Sequence, residues 1–356
     1  MENNTFSEVK TALANSNHVL IPLHFWPDGD SFGSALASYY ILQSMGKNPT
    51  VVCADTMGSF YDLLPEYKIV NWETGLDKMD MSKYDTLLAL DSTDLARYTK
   101  DNKINFTLPP NLKIINLDHH PGNSYFVRNK LVYFGGVNYV DTTASSTSEI
   151  IYQIFREGRK FSGDTPKGTV LGCHPKILKM ILLGILSDTG HLKWKISPKL
   201  LGIVAELIST VDYQELSSIM LYNYPKENKK YLSIIYHNLK FNDEKRFCYS
   251  KISHQEYLDS NIEPDKVGGA VDSIKDIRGY DFCFTLNEEE PKRIHVSFRS
   301  QKGVDTSIYA KALGGGGHKA ASAALLLGID LEEAERKVLG VVDNFQFSKS
   351  KNCFDV

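Results

Sequence analysis

The run Ile114-Ile115-Asn116-Leu117-Asp118-His119-His120 joins an apolar segment directly to a carboxylate and two imidazoles. Three other segments repeat the arrangement. Val19–Leu23 leads into His24-Phe25-Trp26-Pro27-Asp28-Gly29-Asp30, and Thr86–Leu90 leads into Asp91-Ser92-Thr93-Asp94. Met180–Leu186 leads into Ser187-Asp188-Thr189-Gly190. Uncompensated charge beside buried apolar chain is costly, so a single case reads as a helix cap or a surface turn. Four in succession imply that the carboxylates converge and share divalent cations.

Working outward, the N-terminal half alternates short β-branched runs with longer helical patterns. Strands are expected at Val19–Leu23, Thr50–Cys53, Thr86–Leu90 and Lys113–Leu117. Helices are expected at Ser31–Met45, Ser145–Arg156, Pro175–Leu186 and Lys199–Ile208. This alternation predicts an α/β fold with a mostly parallel sheet covered on both faces. Ligands of such sheets sit beyond the carboxyl ends of the strands, where His24, Asp28, Asp30, Asp91 and Asp118–His120 all fall. Residues 1–211 form this domain and 212–242 a helical connector. Residues 243–348 form a smaller α+β domain, with strands at Phe247–Ile252, Phe282–Leu286 and Ile294–Phe298. Its helices are expected at Val267–Asp276, Thr306–Leu313 and Leu331–Asn344, with 349–356 as a tail. Glu157–Gly172 reads as an exposed excursion without an assigned role.

The chain has 356 residues, 42% of them hydrophobic, enough for two medium domains with ordinary cores. A net charge of −3 argues against a broad basic surface for long duplex nucleic acid, though not against a small anionic substrate. No apolar stretch has the length of a membrane span, and Met1-Glu2-Asn3-Asn4 lacks the layout of a signal peptide. The five cysteines are widely spaced and form no Cys-x-x-Cys, as expected of reduced thiols in a cytosol.

Each cluster also has an ordinary alternative. In His24-x-x-x-Asp28-x-Asp30, Pro27 and Gly29 shape a turn that can point three ligands one way. Asp30 could instead be the N-cap of the helix that starts near Ser31. Mixed imidazole and carboxylate ligands favour Mn²⁺, Fe²⁺, Co²⁺ or Zn²⁺ over Ca²⁺ and leave Mg²⁺ open. Asp94 and Arg97 are spaced for an ion pair on a capped helix start. Asp188-Thr189-Gly190 could be only a helix end. Together the clusters supply the six to eight ligands, roughly, that two metals need. Gly314-Gly315-Gly316-Gly317-His318 is expected to precede a helix and to offer backbone N–H groups to an anion. The alternative is a flexible hinge. Ser297-Phe298-Arg299-Ser300 upstream favours phosphate, for which arginine supplies a two-pronged donor.

With these residues in place, the chain resembles the DHH phosphoesterase superfamily. His24/Asp28/Asp30, Asp91, Asp118-His119-His120 and Asp188 occur in family order, and Ser297–Ser300 with Gly314–Ala321 is similar to the DHH-associated C-terminal domain. The resemblance covers the chain from about His18 to Ala323. It implies an active site in a cleft between the domains. Within the superfamily it points to the nano-RNase and 3′-phosphoadenosine 5′-phosphate (pAp) phosphatase group. RecJ-type exonucleases share the core but are longer, usually with an OB-like domain, and family II pyrophosphatases lack the Gly-rich His motif. His191, after Gly190, and the 157–172 excursion are departures from the family pattern.

Carried over residue by residue, the resemblance implies His24, Asp28 and Asp91 on one Mn²⁺ and Asp30, Asp91, His119 and Asp188 on the other. Asp91 would bridge them, while Asp118 and His120 would orient ligands or face phosphate. Co²⁺ or Mg²⁺ could substitute. Arg299, His318 and Gly314–Gly317 would hold a substrate phosphate. The implied partners are short single-stranded RNA or DNA oligonucleotides and nucleotides, with no membrane and with room for a homodimer. The implied function is a cytoplasmic hydrolase that degrades nano-RNA to mononucleotides and dephosphorylates pAp. Phosphodiesterase action on pApA or cyclic di-AMP, a RecJ-like exonuclease, and an inactive nucleotide-binding module are the alternatives.

Overall fold

The computed structural model describes residues 3–57, 60–92, 94–100, 104, 106–120, 136–156, 174–264, 267–301, 303–317 and 319–345. The excursion at 157–172, His318 and the tail at 349–356 lie outside them. The chain divides into two compact units, Met1–Asn223 and Tyr224–Val356.

The first unit runs α1 (Phe6–Ala14), β1 (His18–Leu23), α2 (Gly29–Ser44), β2 (Asn48–Cys53), β3 (Val70–Asn71), β4 (Thr86–Leu90), β5 (Lys113–Asp118) and β6 (Val137–Val140). It continues with α3 (Thr147–Arg156), α4 (Pro175–Asp188), α5 (Pro198–Ile208) and α6 (Tyr213–Tyr222). The six strands form a sheet in the order β3-β2-β1-β4-β5-β6, and every pairing is parallel. The central strands read as apolar runs because both faces are covered. On one face Val19, Ile21, Leu88 and Ile115 pack with Phe32, Leu36, Ile151 and Ile181 from the helices. On the other, Leu20, Leu87, Ala89 and Ile114 pack with Leu76, Leu95 and Tyr98. The β1–β4 register covers Val19 and Leu20, so Pro22, which has no N–H to donate, lies past it.

α2 and α4 cross closely. A Cβ on Gly33 would lie 2.5 Å from the Met180 carbonyl oxygen, and one on Gly184 would collide with Ser148 Oγ. These two glycines bring the Asp30 end of α2 against α3 and α4, which positions the site described below.

The second unit contains α7 (Lys226–His237), β7 (Lys240–Asn242), β8 (Phe247–Ile252), α8 (His254–Asp259), α9 (Ala270–Ile274), β9 (Phe282–Glu290) and β10 (Arg293–Ser300). It ends with α10 (Ser307–Ala312), β11 (Gly316–Gly317), β12 (Ala321–Leu327) and α11 (Leu331–Asn344). Its sheet order is β11-β12-β10-β9-β8-β7, antiparallel except between β8 and β9. Phe247, Phe284, Phe298 and Val296 pack on one face with Tyr309 of α10 and Val338 of α11. Cys248, Cys283 and Ile252 pack on the other with Tyr231, Tyr257 and Ile274.

Two expectations are corrected. The segment 212–242 is not a separate connector: α6 buries Leu216 and Met220 in the first core, whereas α7 buries Tyr231 and Ile235 in the second. The segment after the glycine run is a strand, not a helix. Residues Ala321–Leu327 pair with β10 in the register Val296↔Ala324, and this pairing outweighs the helical propensity of alanine and leucine.

A polar cluster joins α11 to the second sheet. Glu335 accepts hydrogen bonds from Lys240 Nζ (2.7 Å), Tyr249 Oη (2.8 Å) and Lys251 Nζ (2.7 Å). Burial works against its charge, yet these donors hold the carboxyl down from 4.5 to about 2. Because the folded value is depressed, the stabilisation is present above the ordinary carboxylate value and is lost as pH falls toward 2. Tm of the wild type should therefore fall more steeply than Tm of Glu335→Gln between about pH 4.5 and pH 2. Parallel Tm–pH curves for the two proteins would contradict that origin.

Candidate active site

The site is built at the carboxyl ends of β1, β4 and β5, closed by the start of α3 and the end of α4. After β1 the chain turns through His24 and Trp26, and Asp28 caps α2 by accepting hydrogen bonds from the N–H groups of Asp30 and Ser31, both 3.0 Å. Asp28 is thus the N-cap, correcting the alternative that gave this task to Asp30. Asp30 is fully buried in the first turn and accepts hydrogen bonds across the fold, from Thr147 N–H at 2.6 Å and Ser148 N–H at 2.9 Å. Those donors are the first two residues of α3, where unpaired N–H groups favour a carboxylate.

Asp91 follows β4 with φ +60, in the left-handed region that non-glycine residues rarely adopt. Its N–H bonds to the Leu117 carbonyl at 3.1 Å, and its Oδ1 accepts from Thr147 Oγ1 at 3.1 Å. Oδ1 lies 3.4 Å from His119 Nε2 and 3.6 Å from His120 Nδ1, while Oδ2 lies 3.4 Å from His24 Nε2. Both oxygens therefore face imidazoles on different strand ends. Asp188, the last residue of α4, sets its Oδ2 3.2 Å from His119 Nε2. Asp118 accepts from His120 N–H at 3.0 Å and lies 2.8 Å from His120 Nδ1, which fixes that ring.

The His24 ring is held from the other side. Its Nδ1 lies 2.9 Å from the Phe25 carbonyl oxygen and 3.3 Å from Arg97 Nη2. A carbonyl needs Nδ1 protonated and a guanidinium needs it bare. The shorter contact, to the carbonyl, keeps Nδ1 protonated, and Nε2 is the ring nitrogen that faces Asp91 and Asp28.

These side chains group in three overlapping ways, with the ligand atoms of each group within 4.8 Å of one another. The groups are His24, Asp28 and Asp91; Asp30, His119 and Asp188; and Asp91, His119 and His120. Asp91 and His119 each belong to two. The clustered carboxylates pull their affinities for protons apart. Burial, and then the charge of Asp91, pushes Asp30 up to about 7. Burial, and then the charges of Asp30, Asp28 and Asp91, pushes Asp188 up to about 9. Burial would raise Asp91 too, but His119 and His24 outweigh it and hold Asp91 well below the usual carboxylate range. For His119 burial acts downward, and Asp91 with Asp30 overrides it to hold the imidazole above its ordinary value.

The cluster fits divalent cations on two observations. It carries four carboxylates against three imidazoles and the ammonium of Lys195, whose Nζ lies 3.5 Å from Asp188 Oδ2. Moreover, among the described residues His119 Nε2 and Asp118 Oδ2 are buried without a hydrogen-bond partner, and the former faces the carboxylates of two groups. Buried polar atoms without partners are rare unless a ligand completes them.

The remaining expected residues lie in the second unit. Arg299, on β10, places Nε 3.3 Å from Asp272 Oδ1, and Nη1 donates to the Phe298 carbonyl at 3.0 Å. The glycine run follows the C-terminus of α10 rather than opening a helix, so no helix dipole backs an anion there. Gly314 N–H donates to Lys311 and Gly315 N–H to Ala310, at 3.0 and 2.7 Å, and Gly316–Gly317 form the short edge strand β11.

Four neighbours were not anticipated from sequence: Arg97, Thr147, Ser148 and Lys195. The run Ser145-Ser146-Thr147-Ser148 at the start of an apolar-striped helix was a usable signal, because four buried hydroxyl residues need partners. The capped start expected at Asp94 is present at Leu95–Tyr98, and the Arg97 guanidinium reaches His24 rather than Asp94.

The profile of the DHH family N-terminal domain matches residues 18–185, and that of the DHHA1 domain matches 244–345. The chain is 27% identical over 328 residues to a Thermus thermophilus protein named bifunctional oligoribonuclease and PAP phosphatase NrnA, covering 91% of this chain and 89% of that one. It is 24% identical over 355 residues to the Bacillus subtilis cyclic-di-AMP phosphodiesterase GdpP, covering 95% of this chain but 49% of that one. Its fold matches the crystal structure of an exopolyphosphatase-related protein from Bacteroides fragilis with a TM-score of 0.79 at 21% identity, over 95% of both chains. The strand-end carboxylates, the two compact units and the two matched domains coincide: the chain belongs to the DHH family, with its N-terminal domain followed by a DHHA1 domain, and is a phosphoric ester hydrolase.

Proposed function

We propose that the chain is a Mn²⁺-dependent phosphoesterase that degrades short oligoribonucleotides to mononucleotides and dephosphorylates pAp. The observation that carries this reading is that Asp91 belongs to the His24–Asp28 group and also sets Oδ1 3.4 Å from His119, a member of the Asp30–Asp188 group. One ion would be held by His24, Asp28 and Asp91, the other by Asp30, Asp91, His119 and Asp188. Bound Mn²⁺ supplies Lewis acidity that offsets phosphoryl charge and acidifies a nucleophilic water.

The chain's own groups set up that chemistry. The Phe25 carbonyl fixes the His24 tautomer, and the N–H groups of Thr147 and Ser148 hold both oxygens of Asp30. The Thr147 hydroxyl orients Asp91. His120, braced by Asp118, is assigned to a phosphoryl oxygen of the substrate. Arg299, His318, Gly316 and Gly317 are assigned to a substrate phosphate, as are Gly314 and Gly315 to the extent that their amides can leave the α10 carbonyls. Removing Arg299 should cost a charge-assisted contact of roughly 1.5–3 kcal/mol in kcat/KM. Arg299→Ala should keep its metal content; a wild-type kcat/KM on pAp would remove Arg299 from the site.

Turnover should fall steeply from dinucleotides and pentamers to strands of about 24 nucleotides, because a chain of net charge −3 has little basic surface to grip a long strand. Processive digestion of long strands at physiological salt would contradict this. A second reading, cleavage of linear or cyclic dinucleotides, draws on the similarity to the cyclic-di-AMP phosphodiesterase. Comparing kcat/KM for pAp, pApA, cyclic di-AMP and short RNA in one assay decides between the two.

A further inference from the structure

Immediately after Asp188 the backbone enters an unusual turn: Gly190, His191 and Leu192 have φ of +54, +58 and +62, and Lys195 has +56. Three of these are not glycine, and left-handed backbone costs such residues on the order of 1 kcal/mol each. The turn is held by a dense set of bonds. His191 N–H donates to Leu186, and the Thr189 carbonyl accepts from both Lys193 and Trp194. Thr189 Oγ1 accepts from Leu192 N–H at 3.0 Å.

What the turn displays is two adjacent side chains. Trp194 donates from Nε1 to the Asp188 carbonyl at 2.7 Å, and its ring rests over Gly190, where a Cβ would collide with it. The indole is thus fixed next to a carboxylate of the metal site, yet it remains 44% exposed. Lys195 places Nζ 3.4 Å from His119 Nδ1, 3.5 Å from Asp188 Oδ2 and 3.2 Å from the Ser145 carbonyl, with its side chain 48% exposed. An anchored aromatic surface beside a cation at the edge of a phosphoryl-transfer site matches the two parts of a nucleotide, a base and a phosphate. A preformed platform of this kind loses little entropy on binding.

We propose that Trp194 and Lys195 form a nucleotide subsite, in which the indole stacks the substrate base and the ammonium contacts the phosphate next to the metal centre. The subsite rests on the nucleotide-phosphoesterase reading above. Stacking does not read hydrogen-bonding edges, so it selects for the presence of a base rather than its identity.

The test uses the full chain with Mn²⁺ and two substrates, pAp and the same sugar bisphosphate without its base. Trp194→Leu should raise KM for pAp about tenfold, with kcat within about twofold, and Trp194→Phe should recover most of the loss. KM for the base-free substrate should not change. An unchanged KM for pAp, or an equal rise for both substrates, would mean that Trp194 only props Asp188 and would overturn the stacking role. Lys195→Met should raise KM for both substrates and Lys195→Arg should restore it; wild-type values in Lys195→Met would remove the phosphate contact. Binding is read separately from turnover: AMP should quench the intrinsic fluorescence of the wild type and not that of Trp194→Leu. If AMP quenches while neither substrate turns over, the subsite stands and the assigned activity fails; if AMP does not quench, or quenches both proteins alike, the subsite fails.

Discussion

Asp91→Ala is expected to lower kcat/KM on pAp by roughly 10³-fold, whereas Asp94→Ala should stay within about tenfold of wild type. Both residues follow β4 and both are aspartates, so the difference isolates position. Asp91 turns Oδ1 toward His119 and His120 and Oδ2 toward His24, so its loss takes the carboxylate from both groups of candidate ligands that contain it. Asp94 spends Oδ1 on the N–H of Ala96, a capping bond worth about 1 kcal/mol to local structure. Asp91 also occupies a left-handed backbone position, which alanine tolerates poorly. Asp91→Asn is therefore the companion variant, because it keeps the shape, tolerates the backbone and can still accept from Thr147. It should be folded, with a Tm close to that of the metal-free wild type, and nearly as inactive as Asp91→Ala. Near-normal kcat/KM in Asp91→Asn would show that the carboxylate does not join two ions.

The second large effect concerns the metal itself. After exhaustive chelation the protein should lose activity and recover it best with Mn²⁺ or Co²⁺, less with Mg²⁺ and not with Ca²⁺. The order follows from a donor set that mixes imidazoles with carboxylates, softer than an all-oxygen site. Chelation should also lower stability. Without a cation, Asp28, Asp30, Asp91 and Asp188 repel one another; burial and mutual repulsion are what push Asp30 up to about 7 and Asp188 up to about 9. At a concentration near 100 Kd, a bound ion stabilises the folded state by about 2.7 kcal/mol, or roughly 5–10 °C in the Tm of a domain this size. Calorimetry of the chelated protein before and after Mn²⁺ addition measures it. Equal Tm in both conditions would mean that the cluster does not bind the ion.

The legible parts of the fold were those where one physical cause dominates. β1, β4 and β5 are buried on both faces, so their apolar runs stand out, and the polar residues that follow them lie at the sheet end where ligands collect. What sequence did not reveal depends on partners far along the chain. Whether Asp28 or Asp30 caps α2 is settled by Thr147 and Ser148, which claim Asp30 from 117 and 118 residues away. Lys195 comes to His119 only through a left-handed turn at His191 and Leu192, residue types that ordinarily avoid that conformation. The stretch after Gly314–Gly317 carries an apolar pattern that reads as a helix, and only its place beside β10 makes Ala321–Leu327 a strand. The chain also forms β3 and β6, two short edge-side strands whose two and four residues carry too little pattern to read.

The most direct test of the metal centre is Mn²⁺ stoichiometry by equilibrium dialysis on the wild type and Asp91→Asn, with turnover of pAp measured on the same samples. The expected result is about two Mn²⁺ per wild-type chain, activity rising with occupancy, and loss of both in the variant. Full turnover by wild-type protein that binds no Mn²⁺ and works in excess EDTA would contradict it.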